Sequence, residues 1–373
     1  MWLNGVITDL GTLGGANSAG NLVNERGMIA GDTQTSAVDP LGENWGLLFT
    51  CTPAGVSCQG YQNLTRAFLW HNGVMTPLPT LGGDNSFSAG DALNNLGQVV
   101  GFAETSTQYP NCIAPQVLDW EAVVWEPKNG KVHELPPFPG DSIGAGLAIN
   151  DKGQVVGTSG ICAFPSFADG VHAVLCENGS VTDLGSLGGV TNNDATAINN
   201  RGQVVGFSDL AGDATGHAFL WQHGIMTDLG TLPGDYFSFA WGINNKGQVI
   251  AQSCDINFNC RATLWQHGVM TDLNTLTPPD SLYLVFASDI NDRGEITGQG
   301  FDPETGYTLA FLAIPCDEKH ATVEGCKDLA TDATAAPDEA SKRPKVILPE
   351  NVRKQLQQRR GFRNFGAGLM RPQ

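Results

Sequence analysis

Three aspartates recur at one place in a repeated loop. LGGDNS carries Asp84, FPGDS carries Asp141 and LPGDY carries Asp235. Carboxylates gathered from three copies of a repeat suit two kinds of chemistry. They could hold a hard cation such as Ca²⁺ through oxygen ligands, or divide acid and base roles in glycoside cleavage. Each could also cap its own turn, as Asp does when it accepts nearby N–H groups. No DxDxDG-type ligand loop is present, so turn capping is the favoured reading and no metal site is assigned. Tyr236, Trp45 and Tyr61 add loop aromatics for a ligand. No GxSxG, HExxH, phosphate-cradling loop or zinc motif occurs.

The elements that position these loops are read from His217–Ala251, HAFLWQHGIMTDLGTLPGDYFSFAWGINNKGQVIA. HAFLW is an apolar run of strand length, and GIMTDL alternates apolar and polar. FSFAWGIN and QVIA are apolar and short. Period-two patterning, β-branched and aromatic residues and bounding turn residues predict four strands. The QHG and NKG connectors are tight, and a Gly after Asn or His supplies the positive φ of a hairpin turn. Four antiparallel strands in a repeat of about 45 residues is the pattern of a propeller blade.

The Asn that ends the third segment recurs at Asn24, Asn94, Asn150, Asn199, Asn244 and Asn291, with a Gly three places later each time. The fold class expected is therefore all-β, a six-bladed β-propeller of four-stranded antiparallel blades. GVITDL near the start (about 4–10) and YTLAFLAI near the end (about 307–314) are halves of one blade. Their pairing would close the ring and remove an open edge. The domain division expected is a propeller over 1–315 and a linker with a weakly helical or disordered basic tail over 316–373.

The repeat resembles the HAF repeat family of bacterial proteins. The resemblance rests on HAFLW, MTDLGTLxG and INxxGQVVG, seen as AFLW at 67–70, TDLGTLGG at 8–15, TDLGSLGG at 182–189 and INNRGQVVG at 198–206. It covers residues 5 to about 314 and implies an extracellular repeat scaffold; it implies no reaction. Cys176 departs from the Trp, Pro77 and Glu134 from the Asp of TDL, and Ala251 from the Gly of VVG.

The chain holds 20 Lys/Arg and 38 Asp/Glu, of which 11 and 8 follow Pro315. The body thus carries 9 basic and 30 acidic residues, and a body this acidic repels phosphate, so no nucleic-acid partner is expected. No apolar run is long enough to span a bilayer as a helix, and MWLNGVITDL shows no leader pattern. After Pro315, ATDATAAPDEASKRPK reads as linker. LPENVRKQLQQRRGFRNF allows one short helix from Glu350 or Asn351, with Val352 and Leu356 as its apolar pair.

Nine cysteines fit four bonds and one core thiol. Cys51–Cys58, Cys254–Cys260 and Cys316–Cys326 are local pairs, and Cys112–Cys162 joins corresponding connectors of neighbouring blades. Cys176 stands in a core strand as a free thiol. That usage favours an oxidising, extracellular or cell-surface setting.

Strands alternate direction, so tight turns gather on one face and the long connectors and LGG-type loops on the other. Variable loops on a rigid ring are where binding usually resides. The sequence-based expectation is a non-enzymatic monomeric scaffold that binds a protein or glycan on the long-loop face through Asp84, Asp141, Asp235, Tyr236, Trp45 and Tyr61. The alternative is a hydrolase or lyase acting on carbohydrate at the propeller axis.

Overall fold

The computed structural model describes residues 2–3, 5–43, 63–108, 110, 112, 116–161, 172–278, 281–316 and 345–363, the terminal helix with side chains to 357. These residues are almost wholly β, with one α-helix, Glu350–Arg363. The strands form antiparallel units of four in the order in which the chain visits them, and the inner strands of the second and third units are joined by one parallel pairing, Asp91 with Ala148. In the fourth unit Gly188–Ile198 pairs with Val204–Leu210, that strand with Gly216–Gln222, and that in turn with Ile225–Asp228. The fifth unit repeats this with Phe237–Ile243, Val249–Cys254, Cys260–Gln266 and Val269–Asp272. The units begin at Gly14, Gly82, Ile143, Gly188, Phe237 and Tyr283. The last has three strands among the described residues, ending in Thr308–Ala313. This is β-propeller architecture.

Local chemistry explains the hairpins. In the first, third, fourth and fifth units the third and outer strands are joined by two-residue turns in which both central residues have positive φ, as at His223 (52°) and Gly224 (81°). That is the geometry whose twist matches flanking strands. The Gly of VVG has a second cause. A Cβ on Gly206 would lie 1.8 Å from the Asp194 carbonyl oxygen, because the inner strand bulges there between Ala195 and Ala197.

Neighbouring units pack face to face. Phe219 of the fourth unit is buried with Ala148, Val156, Ala173 and Leu184 of the third, and Trp221 packs on the same cluster. An aromatic run continues through the fourth, fifth and sixth units: Phe207–Phe239 at 5.0 Å, Phe239–Trp241 at 4.4 Å and Trp241–Phe286 at 5.1 Å between ring centres. Such contacts contribute beyond their area.

Pairing of the two chain ends is not seen among the described strands. Val6–Ile7 pairs with Trp2–Leu3 through a turn at Gly5, and Thr308–Ala313 pairs with Ile296–Phe301 alone among the described strands. The helix carries an apolar face that docks on the body. Leu348, Val352 and Leu356 are 1%, 2% and 5% exposed, within a cluster that includes Phe237, Phe258 and Tyr283. Leu348 N–H donates to Asn259 Oδ1 at 2.9 Å, and Arg353 to the Asn257 carbonyl at 3.3 Å.

Cys254 and Cys260 form the expected disulfide, which closes the turn that presents those two asparagines. Cys112 and Cys316 are also disulfide-bonded. Cys51, Cys58, Cys162 and Cys326 lie outside the described residues. Cys176 is a buried free thiol, pushed up to about 11 by burial. No helix among the described residues is long and apolar enough to cross a membrane.

Candidate functional site

The three expected aspartates do not form a shared site. Asp141 Oδ2 accepts from Ser159 Oγ at 2.7 Å and faces His172 Nδ1 at 2.9 Å, all within the third unit. Asp235 Oδ2 accepts from Ser253 Oγ at 2.8 Å and Arg261 Nη2 at 2.8 Å in the fifth. Its Oδ1 receives Lys345 from the docked terminal segment, and its side chain is fully covered. Asp84 lies where its charge acts on Arg66 of the first unit. Each aspartate thus has its own partners, and no group of three His, Cys, Asp or Glu among the described residues is placed to hold a metal. Tyr236 donates from its hydroxyl to the Ala214 carbonyl at 2.8 Å, a loop brace. Trp45 and Tyr61 lie outside the described residues.

The second unit holds carboxyls whose protons are retained far above the usual range. Burial, then a hydrogen bond and the charge of Glu43, push Glu104 up to about 8, against N–H and amide donors from Asn85. Glu104 Oε2 accepts from the Asp84 and Asn85 N–H groups at 3.0 and 2.7 Å. Glu43 Oε1 accepts from the Val117 and Leu118 N–H groups at 2.7 and 2.6 Å. This pair is sealed and ties a connector of the first unit to the second. Glu121 is pushed up to about 8 by burial and by the charges of Asp119 and Glu134, and Asp119 to about 6 by burial.

The open, convergent site is on the other face. A cavity of about 330 Å³ opens among the tight turns and is lined by residues of all six inner strands, from Leu22 and Asp91 round to Asp289 and Asn291. Two belts of hydrogen bonds build its wall. In the first, each repeated Asn donates to the backbone of the next: Asn94 Nδ2 to the Asn150 carbonyl at 3.0 Å, Asn150 to Asn199 at 3.0 Å, Asn199 to Asn244 at 2.9 Å and Asn244 to Asn291 at 2.9 Å. The Oδ1 of the same side chain closes its own turn, as Asn150 does on the N–H groups of Lys152 and Gln154. In the second belt, the following residue accepts from its predecessor's N–H: Asp151 from Asn95, Asn200 from Asp151, Asn245 from Asn200 and Asp292 from Asn245, at 2.7–2.8 Å.

The result is a ring of carboxylate and carboxamide side chains at Glu25, Asn95, Asp151, Asn200, Asn245 and Asp292 around an apolar floor that includes Leu93, Ile149 and Ile243. Burial alone would raise Asp151, but donors from Asn95 and Asn200 and the Arg26 charge outweigh it and hold it below the usual range, ionised. Asp91 and Asp289 line the same cavity from the inner strands, and Asp289 Oδ1 accepts from the Ile290 N–H at 2.7 Å. Sequence reasoning missed this ring because it sought ligands in the variable loops. The signal was present: the residue after each repeated Asn is Glu, Asn or Asp in all six copies.

No protein-family model and no curated protein matches the chain. Solved structures do. The acylaminoacyl peptidase of Pyrococcus horikoshii aligns over 79% of this chain at 10% identity, TM-score 0.45. This chain spans 43% of that peptidase. The β-propeller domain of the Trilobed protease from Pyrococcus furiosus aligns over 79% of this chain and 92% of its own length, at 9% identity and TM-score 0.40. A gluconolactonase from Xanthomonas campestris aligns over 67% of this chain and 79% of its own, at 12% identity and TM-score 0.38. The expectation of a non-enzymatic scaffold on the long-loop face is corrected here. The similar solved structures are peptidases and a gluconolactonase. Within this chain, Asp141 and Asp235 of the long-loop face have separate partners in their own units, while carboxyl groups of several units line one cavity at the axis.

Proposed function

We propose that the chain is a hydrolase acting on carbohydrate at the propeller axis. The observation that carries this reading is the axial cavity, where carboxyl and carboxamide groups from the turn after each inner strand converge over an apolar floor. Sugar hydroxyls donate and accept at once, so a mixed ring of carboxylates and amides matches them, and the floor suits the C–H face of a ring. The volume lies in the small-molecule range. Asp91 and Asp289 are the acid and base: one protonates the glycosidic oxygen as its bond to the anomeric carbon breaks, and the other takes a proton from the water that adds there. A panel of polysaccharides assayed for new reducing ends and for ¹⁸O uptake from water tests the reading. Asp91→Asn and Asp289→Asn should each lower turnover at least about a hundredfold without shifting the melting temperature. Turnover that survives both changes, products that are unsaturated with no water uptake, or a wild-type chain inert on the whole panel would overturn it.

Three finer readings accompany it. The ring counts six blades and is closed by residues 5–10 as the outer strand beside Thr308–Ala313. The support is Leu10, which packs against the first unit's Ile29, Phe68 and Trp70, as Leu184 of the third unit packs against Phe219 of the fourth. Membership of the HAF repeat family is supported by the way its motif positions coincide with strands and turns. An extracellular location is supported by the Cys254–Cys260 bond.

A further inference from the structure

The turn that supplies the acceptor ring also supplies a second ring. In five of the six NxxG turns the residue before the Gly is basic: Arg26, Lys152, Arg201, Lys246 and Arg293, with Leu96 in the sixth. These are five of the nine Lys and Arg of a body that carries thirty Asp and Glu. All five are exposed. Arg201 Nη1 donates to the Asn245 carbonyl at 3.3 Å and Lys246 Nζ to the Arg293 carbonyl at 3.5 Å, each reaching the next turn. Arg293 pairs with Glu295 at 2.5 Å. Arg201 and Lys246 each spend one donor in this way, which leaves the rest of their forks and ammonium hydrogens for a ligand.

The mouth therefore sets acceptors around the cavity with Arg293 among them, while Arg26, Lys152, Arg201 and Lys246 stand outside its lining. We propose that its ligand is an anionic glycan in which an uncharged residue fills the cavity and flanking residues place carboxylate or sulfate groups on the basic rim. The inner carboxylates exclude an anion from the centre, and the rim attracts one at the edge, so a uniformly charged polymer fits less well than an alternating one. The hydrogen bonds to neighbouring carbonyls fix where the cationic heads stand, which limits the entropy lost on binding. This inference rests on the carbohydrate reading of the same cavity and adds the substrate class.

The test uses the full chain and calorimetric binding of unsulfated chondroitin oligosaccharides, their sulfated forms and their carboxyl-reduced neutral forms. Wild type should bind the carboxylated and sulfated forms at least about tenfold tighter than the neutral one at low salt, and high salt should erase the difference. Lys152→Gln, Arg201→Gln and Lys246→Gln together should remove the preference, while Lys152→Arg, Arg201→Lys and Lys246→Arg together should keep it. The second variant separates lost charge from lost folding. Equal binding of neutral and anionic forms, or a preference that survives the triple Gln change, overturns the inference. An acidic peptide or a DNA oligonucleotide that binds as tightly and is lost alike overturns the glycan assignment. Failure is distinguishable from failure of the hydrolase reading. Turnover of neutral glycans with no anionic preference ends the rim proposal alone, and anionic preference without turnover of any glycan ends the hydrolase alone.

Discussion

Asn150 and Asn291 occupy the same place in the same turn, yet one should matter far more than the other. Asn150 is 4% exposed and makes four side-chain hydrogen bonds. Its Oδ1 accepts from the N–H groups of Lys152 and Gln154 at 3.0 and 3.1 Å, and its Nδ2 donates to Gln154 Oε1 at 2.7 Å and to the Asn199 carbonyl at 3.0 Å. Asn291 makes the two turn bonds, to Arg293 and Glu295, but it is exposed and its Nδ2 donates to its own Glu295. Asn150→Ala removes four bonds worth about 1 kcal/mol each and strands buried partners, so about 4 kcal/mol is expected. Asn291→Ala should cost about 1 kcal/mol, because water replaces what is lost at an exposed turn.

The decisive variant is Asn150→Asp. It keeps the Oδ1 acceptor, and Asp serves a turn as well as Asn does. In place of the Nδ2 donor, however, it presents an anionic oxygen to two acceptors, Gln154 Oε1 and the Asn199 carbonyl. If the side chain links blades, Asp should be at least as damaging as Ala. Urea unfolding followed by tryptophan fluorescence, with amide exchange of the neighbouring turn, reads both effects. An Asn150→Asp chain within about 1 kcal/mol of wild type, or equal losses at 150 and 291, would refute the belt as an inter-blade interaction.

Ring closure predicts a specific cross-link. The fourth unit pairs Leu220 with Thr227, which makes Leu312 and Thr8 the equivalent partners. Thr8→Cys with Leu312→Cys should therefore oxidise to a disulfide enclosing about 300 residues and stabilise by about 6 kcal/mol on the chain-entropy model; an unlinked product in oxidising buffer would count against closure. Glu104 predicts a pH trend. Its proton is held up to about 8 in the folded chain against an ordinary carboxylate value unfolded, burial being the main cause. The stability it contributes is full below about 4.5 and lost as pH rises through about 8. Glu104→Gln should flatten wild type's decline across that window and be the more stable chain at pH 9; identical slopes would dismiss the buried-proton account. Leu348→Asp should release the terminal segment, seen as rapid proteolysis within 345–357 while the propeller's own melting persists. Unchanged protection would mean that the apolar seat does not hold it.

The strands and their order were legible because each blade restates them: HAFLW, TDL and the INxxG turn stand where alternation and turn chemistry place them. The Asx role of the repeated Asn was legible for the same reason, being satisfied within four residues. Its other role was not. A contact made once per blade has the period of the repeat itself, so a turn requirement and a neighbour requirement leave the same trace in the sequence. The helix shows the converse limit. Val352 and Leu356 are a thin apolar pair by helical pattern, and what buries them is a surface made by Phe258 and Tyr283, far away along the chain.

Departures from the repeat turn out to be the more informative residues. The first position of HAF carries a His or Arg beside the Asp of TDL, as in His217–Asp228 at 2.9 Å and Arg261–Asp272 at 3.3 Å. The second unit puts Glu121 in the cation's place and keeps an acid, Glu134, in the Asp's. A carboxyl put in the cation's half-buried place, facing another acid, has two ways to lower its energy, hydration or protonation. Burial limits the first, so Glu121 keeps its proton up to about 8. One departure in the repeat thus converts a structural ion pair into a carboxyl that titrates near neutrality.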